Sequence, residues 1–383
     1  MTLTLDAVVL HQVRLPLVSP FTTSFGTETE RLALMLEART TVSVGGVSRE
    51  VTGWGECVAQ EEPTYSSEYV AGAQAVLVDH LLPRLFAAQR ERPLSAETVG
   101  EVLAPVVGHP MAKAALEMAL LDAQLCAAGT SFADYLGVTV DRVPSGVSVG
   151  IQDDVPTLLG VVQDYLDQGY RRIKLKIKPG RDVEPTRAVR ERFGDVPLQV
   201  DANAAYTLAD AGVLRRLDAF DLLLIEQPLA EDDLRQHALL AAQLQTPVCL
   251  DESVVSVARA ADALALGAAS IINIKPGRVG GYLEARRIHD LCRASGAAVW
   301  CGGMLETGLG RAANAALAGL PGFTLTGDIS GSDRFYAVDL TPPVVMEDGC
   351  VAVRREPGLG DHPEPARLEE FGVGRLVVEA PRP

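Results

Sequence analysis

The chain has no CxxC pair. Its six cysteines stand apart at 57, 126, 249, 292, 301 and 350, mostly in apolar runs such as PVCLDE and VWCGG. That spacing argues against a zinc cluster, and a chain of 383 residues needs no disulfide framework. Free, mostly buried thiols in a reducing compartment are the expectation. Basic residues are also short, 34 Lys and Arg against 50 Asp and Glu for a net charge of -16, which leaves no basic stripe for nucleic acid. No apolar run of 18 residues is free of charge, so no membrane partner is expected. The opening MTLTLDAVVLHQVRLPL lacks the basic start and continuous apolar stretch of a secretion signal. A soluble cytoplasmic protein is the expectation. No GxGxxG follows a first strand, which argues against a dinucleotide fold.

What is present is a rhythm. Short β-branched runs each end in a polar residue: IKLKI at 173–177, PLQVD at 197–201, LLLIE at 222–226, PVCLD at 247–251 and IINIK at 271–275. AAVWC follows at 297–301, and SGVSVG at 145–150 and GFTLTG at 322–327 read as the first and eighth strands. Helix-like segments such as VEPTRAVRERF and LADAGVLRRLDAF lie between them. From Lys176 to Asp201, Asp201 to Glu226 and Glu226 to Asp251 is 25 residues each, and Asp251 to Lys275 is 24. One strand, one helix and two short loops fit that period, and right-handed repetition of the unit builds a (β/α) barrel. Residues 1–55 read as strands and 67–127 as helices. The expected division is an α+β capping domain over 1–130, a barrel over 131–328, and a segment 329–383 that completes the cap.

The ends of the barrel strands are where such a fold does chemistry. Asp201, Glu226 and Asp251 end three successive strands. Three converging carboxylates in a dry pocket repel one another unless a cation compensates them, and an all-oxygen set suits a hard ion, most naturally Mg²⁺. The competing reading makes each of them the N-cap of the helix that follows. Lys174 and Lys176 share one face of their strand by alternation, and Lys275 ends a strand across the barrel. Two lysines flanking a metal suit abstraction of a proton α to a carboxylate, with one lysine's pKa lowered so that it acts as base. Arg171 and Arg172 mark the solvent-facing start of the strand, and Lys178 its exit.

YRRIKLKIKPG, VDANAAYTLADA, LLIEQPL, CLDES, NIKPGRVGG and VWCGGMLETGLGRAAN also carry a resemblance. The chain resembles the enolase superfamily in its muconate lactonizing enzyme subgroup, and within it the N-acylamino acid racemase / o-succinylbenzoate synthase family. The resemblance implies an α/β fold, a modified TIM barrel (β/α)₇β with an α+β capping domain. It implies Mg²⁺, replaceable by Mn²⁺ or Co²⁺, held by Asp201, Glu226 and Asp251, with Lys176 and Lys275 as the acid/base pair. Lys174 would sit near the substrate carboxylate, and Asn203 and Glu252 would support the metal region. Ser148 and Met304 match pocket positions, Phe21, Phe25 and Tyr65 lie in the cap's specificity segments, and Arg278 resembles a feature of racemase-capable members. The implied reactions are dehydration to o-succinylbenzoate and racemisation of N-acyl or N-succinyl amino acids, both through an enediolate. The implied substrate is a small carboxylate and the implied assembly a homo-oligomer. Dipeptide epimerisation and muconate cycloisomerisation share the lysines but fit the GGMLETGLGRAAN segment less well, and a non-catalytic barrel would not need them.

Overall fold

Residues 2–24, 26–44 and 46–381 are described by a computed structural model of the chain. Burial alternates along residues 2–7 of β1 (Thr2–Thr22) and becomes continuous over 7–10, with Leu3, Leu5 and Val8 in one core. It pairs antiparallel with β2 (Thr27–Val44), and β2 pairs with β3 (Val47–Cys57). The helix Pro110–Ala128 packs on this sheet over its Ala-rich face. The approach is close enough that a Cβ on Gly55 would lie 2.1 Å from the Ala115 carbonyl oxygen.

After β4 (Arg142–Pro144), the measured rhythm becomes a curled parallel sheet in chain order. Its strands are β5 (Gly146–Val149), β6 (Arg172–Lys176), β7 (Leu198–Asp201), β8 (Ile225–Glu226), β9 (Val248–Leu250), β10 (Ile271–Ile274) and β11 (Ala298–Cys301). The eighth expected strand, GFTLTG, is not a strand. Its residues join the two edges through isolated parallel bridges, Val299 to Phe323 and Ser145 to Gly327, so this stave closes the sheet with two contacts instead of a ladder. LADAGVLRRLDAF also departs from expectation, as a single α-turn (Ala211–Leu214) between two 3₁₀ segments. Leu224, Cys249, Ile271 and Trp300 form a separate small apolar cluster, drawn from four strands of the sheet or their approaches, on which the polar groups above rest.

Past the barrel, β12 (Met346–Glu347) and β13 (Cys350–Ala352) pair with β4, and β14 (Gly372–Glu379) returns to pair antiparallel with β1. The described part of the chain is therefore an α/β fold with a capping subdomain on a modified TIM barrel. Two buried carboxylates of the cap tie it to barrel helices. Glu117 accepts from the Tyr282 and Leu283 amides (2.9 and 3.0 Å) at the start of the helix Tyr282–Ser295. Glu56 does the same for Thr307 (2.9 Å) ahead of the helix Gly308–Ala318. At Gly281, with φ +131°, a Cβ would lie 2.0 Å from a Glu117 oxygen, so only glycine permits this docking.

The tail is fastened by Asp122, which accepts from the Trp54 amide (2.9 Å), the Leu359 amide (2.8 Å) and His362 (2.8 Å). Burial alone would lower the His362 imidazolium, but Asp122 and then Cys126 raise it from 6.5 to about 10. A base raised on folding stabilises fully below its unfolded value, and that contribution fades as pH climbs through the folded value. Thermal melts should therefore show a component of stability present near pH 6.5 and lost by about pH 10. His362→Gln should remove this component, and an unchanged pH profile in that variant would refute the assignment. All six cysteines are free, four of them buried. No helix among the described residues is long and apolar enough to cross a membrane.

Candidate active site

Register assembles the site. Parallel pairing sets Lys176 beside Asp201, and Asp201 beside Glu226, in one row across the strand ends. Asp251 follows β9 and Lys275 follows β10, so the carboxylates occupy the strands between the two lysines. None of the three caps a helix. The barrel helices that follow β5, β6, β8 and β9 are capped by the side chains of Asp154, Asp182, Asp233 and Ser256. The strand-end acids are therefore left to face one another.

They are held by cations. Lys174 Nζ lies 2.7 Å from Asp328, 3.0 Å from Glu226 and 3.3 Å from Asp201, and 4.7 Å from the centre of the Trp300 ring. Lys176 donates to Asp201 Oδ2 (2.7 Å) and to Asn203 Oδ1 (2.6 Å). Lys275 donates to Asp251 Oδ2 (2.7 Å) and to the Tyr65 hydroxyl (3.1 Å), and its ammonium stands 4.9 Å from the Tyr65 ring centre. Arg278 Nη2 meets Asp251 Oδ1 at 2.9 Å, and its Nη1 donates to the carbonyls of Asp251 and Val254. Arg278 thus forms an ion pair that fixes a site carboxylate.

Burial and charge compete at every group. Burial alone would lower the Lys174 ammonium, but Asp328, Glu226 and Asp201 hold it well above its ordinary value, so Lys174 is a fixed cation. The same contest raises Lys275, chiefly through Asp251. The lowered lysine expected from the sequence has Mg²⁺ and a second ammonium beside it; with Asp251 as its nearest charge, the Lys275 ammonium is held up instead. Burial, then Asp201, raises Glu226 to about 8. Burial, then Asp251, raises Glu252 to about 8. Asp201 goes the other way: burial would raise it, but Lys176 and Lys174 hold it well below the carboxylate range. Two acids disfavour their own charge here, and the donor set is all oxygen, which is the environment a hard divalent cation relieves.

The remaining expectations divide. Asn203 links Lys176 to Glu252 through a 2.9 Å bond from its Nδ2. Ser148 and Phe21 line the cavity shared with Lys174, Lys176 and Lys275. Met304 instead packs with the cap core, and Phe25 lies outside the described residues. Arg172, expected at a wet strand start, is buried. It pairs with Asp328 at 2.7 Å and stacks over Trp300 at 5.4 Å, because it points to the inner face that Lys174 and Lys176 share.

Asp328 and Asn273 were not singled out in the sequence. Asn273 donates to Glu226 Oε1 (2.6 Å) and sits two residues before Lys275, so strand alternation alone places it on the same face. Asp328 ends the stave that is not a strand, and no strand pattern marks it. A separate group with metal-ligand chemistry is Asp122, Cys126 and His362, whose ligand atoms lie within 4.8 Å of one another. Asp122 is already engaged there by two backbone amides and an imidazolium.

Comparison with known proteins agrees with this geometry. Residues 5–137 match the family described as mandelate racemase / muconate lactonizing enzyme, N-terminal domain, and residues 158–367 match the enolase C-terminal domain-like family. The chain is 60% identical to an N-succinylamino acid racemase of Amycolatopsis sp over 375 residues, covering 98% of this chain and 99% of the relative. It is 46% identical to an o-succinylbenzoate synthase of Geobacillus kaustophilus over 97% of this chain and 96% of that one. A solved structure of an enolase superfamily member from Listeria innocua superposes with TM-score 0.92 at 36% identity, covering 99% of this chain and 100% of that one.

Proposed function

The chain belongs to the enolase superfamily, in its mandelate racemase / muconate lactonizing enzyme branch, and from that premise we propose that it removes the proton α to a carboxylate. The observation that carries the reading is the placement of Lys176 and Lys275 on strands separated by three others, with the acids between them. A substrate α-carbon over that row would meet a lysine on each side. Asp201, Glu226 and Asp251 would hold a divalent cation, Mg²⁺ by the chemistry of the donors. When bound, it supplies positive charge against the substrate carboxylate as the α-proton leaves.

Lys176 takes the proton of one enantiomer and Lys275 that of the other, and in each case the opposite lysine delivers a proton to the other face of the α-carbon. In dehydration to o-succinylbenzoate, Lys176 takes the α-proton, the C–O bond to the hydroxyl breaks, and the proton held by Lys176 passes to that hydroxyl so that it leaves as water, while the Lys275 ammonium faces the developing charge. Lys174, pinned by three carboxylates, keeps its proton throughout and orients the substrate carboxylate. Asn203 and Tyr65 steer the two reacting lysines. The same membership supports a homo-oligomer in the cytoplasm, with 1–130 and 329–383 as cap over a 131–328 barrel.

We expect racemisation of N-succinyl-phenylalanine and dehydration to o-succinylbenzoate, both Mg²⁺-dependent. The higher identity to the racemase favours racemisation as the faster reaction. Steady-state kcat/KM for both substrates checks this, and absence of both reactions in Mg²⁺ would refute the reading.

A further inference from the structure

The group of Asp122, Cys126 and His362 is no part of the cavity that Lys174, Lys176 and Lys275 share. It joins three kinds of donor: a carboxylate, a thiol and an imidazole. Asp122 and Cys126 stand four residues apart on one face of the helix Pro110–Ala128. His362 comes from the tail, whose backbone is already fixed at this place. Gly358 accepts from the Phe132 amide (2.9 Å) and donates to the Thr130 carbonyl (3.1 Å). Its φ is +97°, and a Cβ there would lie 2.7 Å from Asp122 Oδ1 and 2.8 Å from Cys126 Sγ, so glycine alone lets the tail close over both groups.

One ring nitrogen of His362, Nε2, faces both partners, 2.8 Å from Asp122 Oδ2 and 4.0 Å from Cys126 Sγ. The polar contacts of the thiol among the described residues are all long: 4.0 Å to His362, 3.9 Å to Asp122 Oδ1 and 3.8 Å to the Pro357 carbonyl. They are poor hydrogen bonds even for a weak thiol donor. They are close to the spacing of ligands about one ion. With Zn–S at about 2.3 Å and Zn–N or Zn–O at about 2.0–2.2 Å, a sulfur and a nitrogen in one tetrahedral shell lie roughly 3.5 Å apart, so the thiol needs to move in by only ~0.5 Å.

We propose that Asp122, Cys126 and His362 bind Zn²⁺, which fastens the tail to the cap helix in a site separate from the strand-end acids. A thiolate, imidazole and carboxylate set selects a borderline-soft ion over Mg²⁺. The ion takes the place of the proton between His362 and Asp122. That proton and the thiol proton leave to solvent, and the two anionic ligands then balance the ion's charge. The His362 side chain is 37% exposed, which leaves a route in for the ion. The lack of a CxxC pair excludes a cluster of cysteines, but this set uses one cysteine and a histidine 236 residues away, which no local spacing marks. The inference is independent of the proposed reaction.

The test titrates Cd²⁺, a sulfur-seeking stand-in for Zn²⁺, into chelator-treated protein supplied with excess Mg²⁺. A thiolate-to-Cd²⁺ charge-transfer band in the ultraviolet should saturate at one equivalent, since the strand-end donors contain no sulfur. Cys126→Ser should lose the band. His362→Gln should bind Cd²⁺ more weakly by at least the roughly 10–100-fold that loss of an outer-shell partner costs. Cys350→Ser, which removes the other thiol that is not buried, should keep the band and the affinity. Zn²⁺ should raise the melting temperature of wild type and leave that of Cys126→Ser nearly unmoved. His362 is partly exposed, so His362→Gln decides the matter even where Cys126→Ser fails to fold. A wild type without the band, a band intact in Cys126→Ser, or unchanged affinity in His362→Gln would overturn the proposal.

Discussion

Lys275→Ala will abolish racemisation of N-succinyl-phenylalanine, with a loss of about 10³-fold or more in kcat from either enantiomer. General acid–base catalysis contributes about 10²–10⁴-fold per group, and racemisation needs both groups in each turnover. The direction from one enantiomer loses its base, and the opposite direction loses its acid. Folding is not the cause of such a loss. Lys275 is a buried ammonium whose carboxylate partner Asp251 keeps Arg278 at 2.9 Å when the lysine is gone. Circular dichroism and the melting temperature check that the fold survives. Lys176→Ala should be equally inactive as a racemase. The two variants should differ on the dehydration substrate: Lys176→Ala removes the base, whereas Lys275→Ala removes only a facing charge and should be the less damaged. Two-way racemisation by Lys275→Ala would remove the two-base assignment.

Glu226→Gln will separate catalysis from stability. Burial and the Asp201 charge push Glu226 to about 8, so its ionised form is disfavoured in the metal-free protein at neutral pH. A neutral amide of the same shape ends the repulsion with Asp201 but sets its NH2 against Lys174 Nζ or Asn273 Nδ2, both donors to the native carboxylate, so without added metal the two effects oppose and the variant should stay folded with a melting temperature close to that of wild type. It should nonetheless lose about 10²–10³-fold in kcat/KM, because one of three anionic donors for the cation is gone. A second readout does not depend on turnover. A cation that binds only the folded protein raises its stability by RT ln(1 + [L]/Kd), so Mg²⁺ should raise the melting temperature of chelator-treated wild type and leave that of Glu226→Gln nearly unmoved. Equal Mg²⁺ shifts in the two proteins would place the ion elsewhere. Asp122, Cys126 and His362 would then be the next set to test.

The barrel and the reacting groups were legible in the sequence for one physical reason. A parallel strand is buried on both faces, so a charged residue inside one stands out, and a 25-residue period repeats the signal at Asp201, Glu226 and Asp251. Lys174 and Lys176 were visible through period-two alternation. The same alternation implicates Arg172, but its place at the beginning of the run suggested solvent. Asp328 was hidden because the stave before it makes only two bridges to its neighbours and carries no strand pattern. Met304 shows the opposite limit, since a residue between strand and helix can turn to the cap core as easily as to the cavity.

The central claim is that two lysines act on opposite sides of one α-carbon. Its most direct test is α-proton exchange in D₂O, followed separately for each enantiomer of N-succinyl-phenylalanine by NMR with the two lysine variants. Complementary results are predicted: Lys275→Ala exchanges one enantiomer without inverting it, and Lys176→Ala exchanges only the other. Exchange of both enantiomers by one variant, or inversion by either, would contradict the account.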